Sequence, residues 1–226
     1  MLNILKYLKK HAGMVVLILA LLGVQAYCDL SLPQYTSDIV DVGIQQSGIG
    51  RVTPDRMRES TLEELTLFLS DEDEAVLRAA YAPDGQGGAD LLVTDKQELE
   101  TLDGLIAQPL VILYQLEQKG MTMSAMAGSL SSQASPSRAE LKALAASLTQ
   151  ALKEQAGDTS EMLTDQMAIL AVRAEYTALG VDLNDMQMNY LLITGAKMLG
   201  ISLLMVAAAI LVGLLASRTA AKIGMN

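Results

Sequence analysis

The chain holds no tryptophan, one phenylalanine, one histidine and one cysteine among its 226 residues. A lone cysteine, Cys28, excludes an internal disulfide, so any part exposed to an oxidising compartment must be held by packing alone. Its ordinary role is that of a small apolar residue inside a helix. A lone histidine, His11, excludes a Ser/His/Asp triad and leaves no partner set for a zinc site. Beside Lys9 and Lys10 it reads as a solvated residue at a membrane edge. Acid is missing from both ends of the chain. All 26 acidic residues fall between Asp29 and Asp185, with only ten basic ones, so this stretch carries a net −16 while the whole chain carries −10. Such acidity argues against nucleic-acid binding, which needs a basic face.

What the ends do contain is apolar. Met198 to Ala216 runs without a charge, with Ser202 as its only hydroxyl side chain. That is about the length a helix needs to cross the hydrocarbon core of a bilayer. A soluble core helix would show a polar residue every turn, and this one shows none. The first apolar run, Ala12 to Leu32, is purest from Met14 to Val24 and then admits Gln25, Cys28 and Asp29 before Pro33. Polar groups at membrane depth are costly unless they face protein or a water-filled cavity. Gln25 and Asp29 are therefore candidates for lining a translocation pathway. The rival is a cleaved signal peptide ending near Val24, but the length of the run favours a span.

Basic residues stand just outside both runs. Lys6, Lys9 and Lys10 lie on one side of a short amphipathic helix expected over residues 1–11, and Arg218 and Lys222 follow the second run. Together with Lys197 they are the only charges outside the acidic middle. By the positive-inside rule both termini are expected in the cytoplasm and the middle outside the cell. Gly200, Ala209 and Gly213 either let neighbouring membrane helices approach closely or simply fill the helix.

The middle reads as helical throughout. Thr53-Pro54 looks like an N-cap with a favourable first residue, opening a helix through about Phe68. Ser70-x-x-Asp73 has the spacing of a capping box for a helix through Tyr81. Asp71 to Asp73 and Glu74 fit a solvated first turn better than a calcium loop. Pro83 to Asp90 is a loop by its glycines, with Asp84 and Asp90 a weak metal pair. Thr94 is expected to start a helix carrying Leu99, Leu102, Leu105, Ile106, Leu110, Leu113 and Leu116, kinked or broken at Pro109 and ended by Gly120. Met121, Met123 and Met126 form a patch, either an adaptable contact surface or, more simply, core filling. Ser129 to Ser137 is a linker. A helix from Pro136 or Ser137 to about Gln155, a turn at Gly157 to Thr159, and a helix ended by Gly180 complete it. Asn184 is expected to cap the helix that becomes the second span. The fold class expected is an all-α membrane protein with two transmembrane helices in an antiparallel hairpin. An all-α insert over residues 48–182 lies between an exit segment at 33–47 and a long helix at 183–217, and a cytoplasmic extension occupies 218–226.

Leu32-Pro33-Gln34-Tyr35-Thr36-Ser37-Asp38-Ile39-Val40-Asp41-Val42-Gly43-Ile44 resembles the end of the first membrane helix of ATP-binding cassette (ABC) exporters. There a proline after an apolar run leads into Ile-Val-Asp-x-Gly-Ile. Met186-Gln187, Tyr190-Leu191-Leu192 and Gly195-x-x-Met198-Leu199, then Arg218-Thr219-Ala220-Ala221-Lys222-Ile223-Gly224, resemble that family's second membrane helix and its cytoplasmic extension. The resemblance covers roughly residues 1–47 and 183–226. It implies ATP-driven export of drugs, lipids or peptides, two permease halves as a homo- or heterodimer, and a nucleotide-binding domain that uses ATP and magnesium. The chain departs from the pattern in two respects. The short external loop of the family is replaced by about 135 residues, and no G-x-x-x-x-G-K-[ST] phosphate loop is present; Gly85-Gln86-Gly87-Gly88 lacks the lysine and the strand–helix setting. The expectation is therefore a piece of a longer reading frame or a truncated protein, containing no ATPase site, catalytic residue or metal site of its own. A tethered extracellular binding or sensor domain is the alternative.

Overall fold

A computed structural model of the chain describes residues 12–131, 136–156 and 160–224. It is mostly helical and divides into two units, one of Met1–Gln45 with Met188–Asn226 and one of Gln46–Gln187. The expected amphipathic helix at the N-terminus, with Lys6, Lys9 and Lys10, lies outside the described residues. So do the turn at Gly157 to Thr159 and the centre of the Ser129–Ser137 linker.

The terminal unit is built from two long helices. Helix α1 spans Ala12–Asp38 and continues as a π-helical segment, Ile39–Gln45. The expected exit segment after Leu32 is thus helical through Gln45, with Pro33 inside α1. Proline removes one backbone donor and crowds the carbonyl four residues back, yet the helix passes it. The backbone loosens only at Ile39, and Ser47 and Gly48, both with positive φ, turn the chain away. Along α1 and its π-helical continuation the less exposed positions follow a stripe through Met14, Ile18, Leu21, Gln25, Cys28, Leu32, Tyr35, Ile39 and Val42, in alternating steps of four and three residues, widened by Val15, Ser31, Asp38 and Gly43. Helix α8, Leu183–Gly224, has a similar stripe through Leu191, Thr194, Met198, Ile201, Met205, Ala208, Val212 and Leu215, flanked by Tyr190, Gly195 and Ser202. A 3.5-residue repeat is the signature of a narrow coiled-coil seam. Off these stripes, large apolar side chains such as Leu19 and Leu203 are mostly exposed.

The middle unit departs from the expected all-α insert. Strands β1 (Arg56–Arg58), β2 (Tyr81–Pro83) and β3 (Gly88–Leu91) form an antiparallel sheet in the order β1-β3-β2. Met57 pairs with Ala89, and Ala82 with Asp90. The β2–β3 connection is a tight turn. Asp84 Oδ1 accepts hydrogen bonds from the backbone N–H of Gln86 and Gly88, while Gly85 and Gly87 supply the positive φ that a side chain would resist. Thr53-Pro54 is not a helix start either. Thr53 is fully buried, and its N–H and Oγ1 both donate to Asp103 Oδ1 at 2.6 and 2.5 Å. The carbonyl of Pro54 accepts the Tyr81 hydroxyl. A short helix, α2 (Glu59–Leu65), follows β1 instead and ends in a 3-10 turn at Thr66–Phe68.

Other signals hold. Ser70 caps α3 (Asp71–Ala80), its hydroxyl oxygen accepting the Asp73 N–H. Helix α4 (Lys96–Gln118) is capped by Asp95, one residue after the expected Thr94, and runs unbroken through a buried Pro109. Gly120, with φ of 67°, ends it through bonds from Gly120 and Met121 back to Glu117 and Leu116. Helices α5 (Met123–Ser131), α6 (Arg138–Ala156) and α7 (Ser160–Ala178) follow. Ser137 and Glu140 form a reciprocal capping box on α6. Gly180 ends α7 as expected, whereas Asp182 rather than Asn184 caps α8. The core gathers Met57, Leu65, Leu77, Leu102, Ile106, Val111, Met123 and Val172 around α4.

Leu77 is fully buried where α3 meets this core. Leu77→Ala is expected to lower unfolding stability by roughly 2–5 kcal/mol, the range for deleting a buried leucine side chain. Chemical denaturation of the detergent-solubilised chain, followed by circular dichroism, checks it.

Candidate functional site

The residues expected to line a pathway separate on the structure. Gln25 lies on the half-buried stripe of α1, one turn before the fully buried Cys28, whereas Asp29 is exposed beside it. Gly200, Ala209 and Gly213 lie off the α8 stripe, and a Cβ built on either glycine meets nothing within 4 Å. Ala208 is the buried small residue there instead. Sequence reasoning missed a close approach in this unit. A Cβ on Gly43 would stand 2.6 Å from Leu191 Cδ2 and 3.5 Å from Tyr190 Cδ1, so only glycine fits without displacing Leu191. The signal was available, because Gly43 is the glycine of the Ile-Val-Asp-x-Gly-Ile stretch. Arg218 is exposed within α8, and Lys222 lies in its last turns. Two segments, Gly13–Gln45 and Leu183–Arg218, are long and apolar enough to cross a membrane. Only 6% of the most apolar window in each is buried, which is the reverse of a soluble protein's core helix.

Charge concentrates in the middle unit. Arg58, the last residue of β1, points its guanidinium between two helices. It donates to Glu175 of α7 from Nη2 at 2.7 Å and from Nε at 3.1 Å, and to Glu117 of α4 from Nη1 at 3.1 Å. The Arg58 backbone N–H also donates to Glu175 Oε1 at 2.7 Å. The Glu175 side chain is only 4% exposed. A carboxylate that deep is tolerable because its oxygens receive these charge-assisted bonds. The bond to Glu175 is the main reason the Arg58 guanidinium is raised above its ordinary value.

A second network covers α2, α3 and α6. Arg78 bridges Glu63 and Glu74, Arg138 also reaches Glu74 at 2.7 Å, and Lys142 reaches Asp71 at 2.9 Å. Hydrogen bonds from Arg78 hold the Glu63 and Glu74 carboxyls below their usual range, and Lys142 does the same for Asp71. Two of the four acids in the first turn of α3, Asp71 and Glu74, are thus paired with cations from α3 itself and from α6. Arg56 likewise engages both Asp84 and Asp90, the weak metal pair of the sequence. Among the described residues no group of three or more His, Cys, Asp or Glu side chains is arranged to hold a metal ion.

A cavity of about 180 Å³ opens beside Arg58, walled by Leu110, Leu113, Tyr114 and Met121, with Glu64, Glu117 and Glu175 on its polar side. The methionine patch divides here. Met123 is buried in the core, Met126 packs against it, and Met121 is 37% exposed at the cavity. This arrangement can bind and orient.

Compared with protein-family models, with curated proteins and with solved structures, the chain matches none of them.

Glu175→Gln is expected to destabilise the chain by roughly 3 kcal/mol, the low end for breaking a buried pair, because Arg58 keeps 30% exposure. Replacing both partners, as Arg58→Met with Glu175→Leu, is expected to recover most of that loss. Thermal unfolding of the three variants in one detergent checks the order.

Proposed function

We propose that this chain is the N-terminal part of the transmembrane domain of an ABC exporter. In this reading α1 and α8 cross the bilayer as an antiparallel hairpin with both termini in the cytoplasm and the acidic middle unit outside. A second permease half completes the translocation pathway, to which Gln25 and Asp29 contribute. A nucleotide-binding domain carrying ATP and magnesium drives efflux of an amphiphilic drug, lipid or peptide. Lys6, Lys9, Lys10, Arg218 and Lys222 anchor the cytoplasmic ends against the lipid surface.

The contact between Gly43 and Leu191 supports the reading most. It joins the two stretches that resemble the exporter family, Ile-Val-Asp-x-Gly-Ile at the end of the first helix and Tyr-Leu-Leu at the start of the second. They lie far apart in the sequence, yet a glycine in the one gives room to a leucine in the other. The apolar surface of both helices off their stripes supports it too, since lipid and further permease helices are what such a surface requires.

Reading the messenger RNA past the codon for Asn226, and assaying its whole product, tests the proposal. Four further apolar spans and a phosphate loop are expected. ATP hydrolysis by that product is expected to be lost when the loop lysine is replaced. A stop codon directly after Asn226 contradicts the exporter reading.

A further inference from the structure

The cavity beside Arg58 has a charge imbalance that its own side chains leave uncorrected. Arg58 brings one positive charge, and Glu117 and Glu175 already take its hydrogen bonds. Glu64, half-buried on α2, is a third carboxylate on the same wall. It has no hydrogen-bonding or ion-paired side chain of its own among the described residues, and Arg58 reaches it only as a more distant charge. Burial is the main cause that raises its carboxyl above the usual range, with Glu117 and Glu175 adding to the rise and Arg58 opposing it. A half-buried carboxyl short of a counter-charge is stabilised in its charged form by a cation placed beside it.

The lining also holds the apolar and aromatic side chains of Leu110, Leu113, Tyr114 and Met121, together with the hydroxyls of Ser60, Thr61 and Thr122. A volume of about 180 Å³ is below the range of drug-sized sites, roughly 300–1,000 Å³, and admits a small organic molecule. A metal ion fits poorly, because these carboxylates do not gather as a ligand group among the described residues. We propose that the cavity binds a small organic amine as its ammonium ion, with the charge at Glu64 and the hydrocarbon body against Leu113, Tyr114 and Met121. Tyr114 can add a cation–π contact. The flexible thioether of Met121, at the rim, adapts to the shape of the body. The site belongs to the middle unit alone and does not depend on the exporter reading.

The test is calorimetric titration of the full detergent-solubilised chain with 2-phenylethylammonium, and with 2-phenylethanol and phenylacetate as its neutral and anionic counterparts. Saturable binding of the amine is expected, with the alcohol weaker by about tenfold or more, as a charged hydrogen bond requires, and no binding of phenylacetate. Glu64→Gln is expected to weaken the amine by about the same factor without lowering the unfolding midpoint, since Glu64 supports no other side chain by a hydrogen bond or ion pair and its charge is disfavoured there. Met121→Trp, which fills the rim, is expected to abolish binding. With methyl-labelled methionine, the Met121 and Met123 signals are expected to shift on titration. Equal affinity for amine and alcohol, undiminished binding by Glu64→Gln, or displacement of the amine by calcium chloride alone would overturn the proposal.

Discussion

Apolar side chains that none of the described residues covers are the constraint on which the rest depends. Around α1 and α8 only one stripe of each helix is buried, and leucines such as Leu19 and Leu203 are left bare. In water that surface would cost about 25 cal/mol for every Å² left exposed. In a bilayer it costs nothing, and the helical backbone satisfies its own hydrogen bonds there. The same constraint accounts for the charge map. Acids are confined to the stretch between the helices, and the flanks carry only Lys and Arg.

The middle unit solves a different problem. It has no disulfide and a core of modest size, so polar interactions locate its parts. Arg58 ties β1 to α4 and α7, and Asp103 of α4 holds the loop at Thr53. The Tyr81 hydroxyl holds Pro54, and the Tyr176 hydroxyl accepts the Asp55 N–H. Residues 53–58 are thus pinned from several sides, which fixes the wall of the cavity where Glu64 stands. The paired acids on α3 serve stability in another way. Their depressed pKa values mean that the contribution is present above the usual carboxylate range and fades as pH falls through the lower folded values.

Much of this was legible in the residues. The two apolar runs, the caps at Ser70 and Ser137, and the stops at Gly120 and Gly180 act through local geometry, and local geometry is written in a few adjacent residues. The sheet was not legible. Its strands are three or four residues long, too short for alternation to register, and β1 reads Arg-Met-Arg, whose inward Met57 is masked by two charges. Thr53-Pro54 carried a valid capping signal that a long-range partner, Asp103, overrode. Pro33 and Pro109 both sit inside helices where the sequence predicted an end or a break, because surrounding residues hold the helix on either side. Gln25 and Asp29 looked alike as polar residues in an apolar run, and only the phase of the burial stripe separates them. The cavity was invisible, since Arg58, Glu64, Glu117 and Glu175 lie on four elements brought together by tertiary packing alone.

The central claim is that the polypeptide passes twice through a bilayer with its middle unit outside. Single cysteines placed at Gln86 or at Ser217, both exposed, in a chain whose buried Cys28 is replaced by alanine, test it in intact cells with a membrane-impermeant thiol reagent. The account predicts that Gln86→Cys is labelled from outside and that Ser217→Cys is labelled only after the cells are opened. Labelling of both before lysis, or of neither, would contradict it.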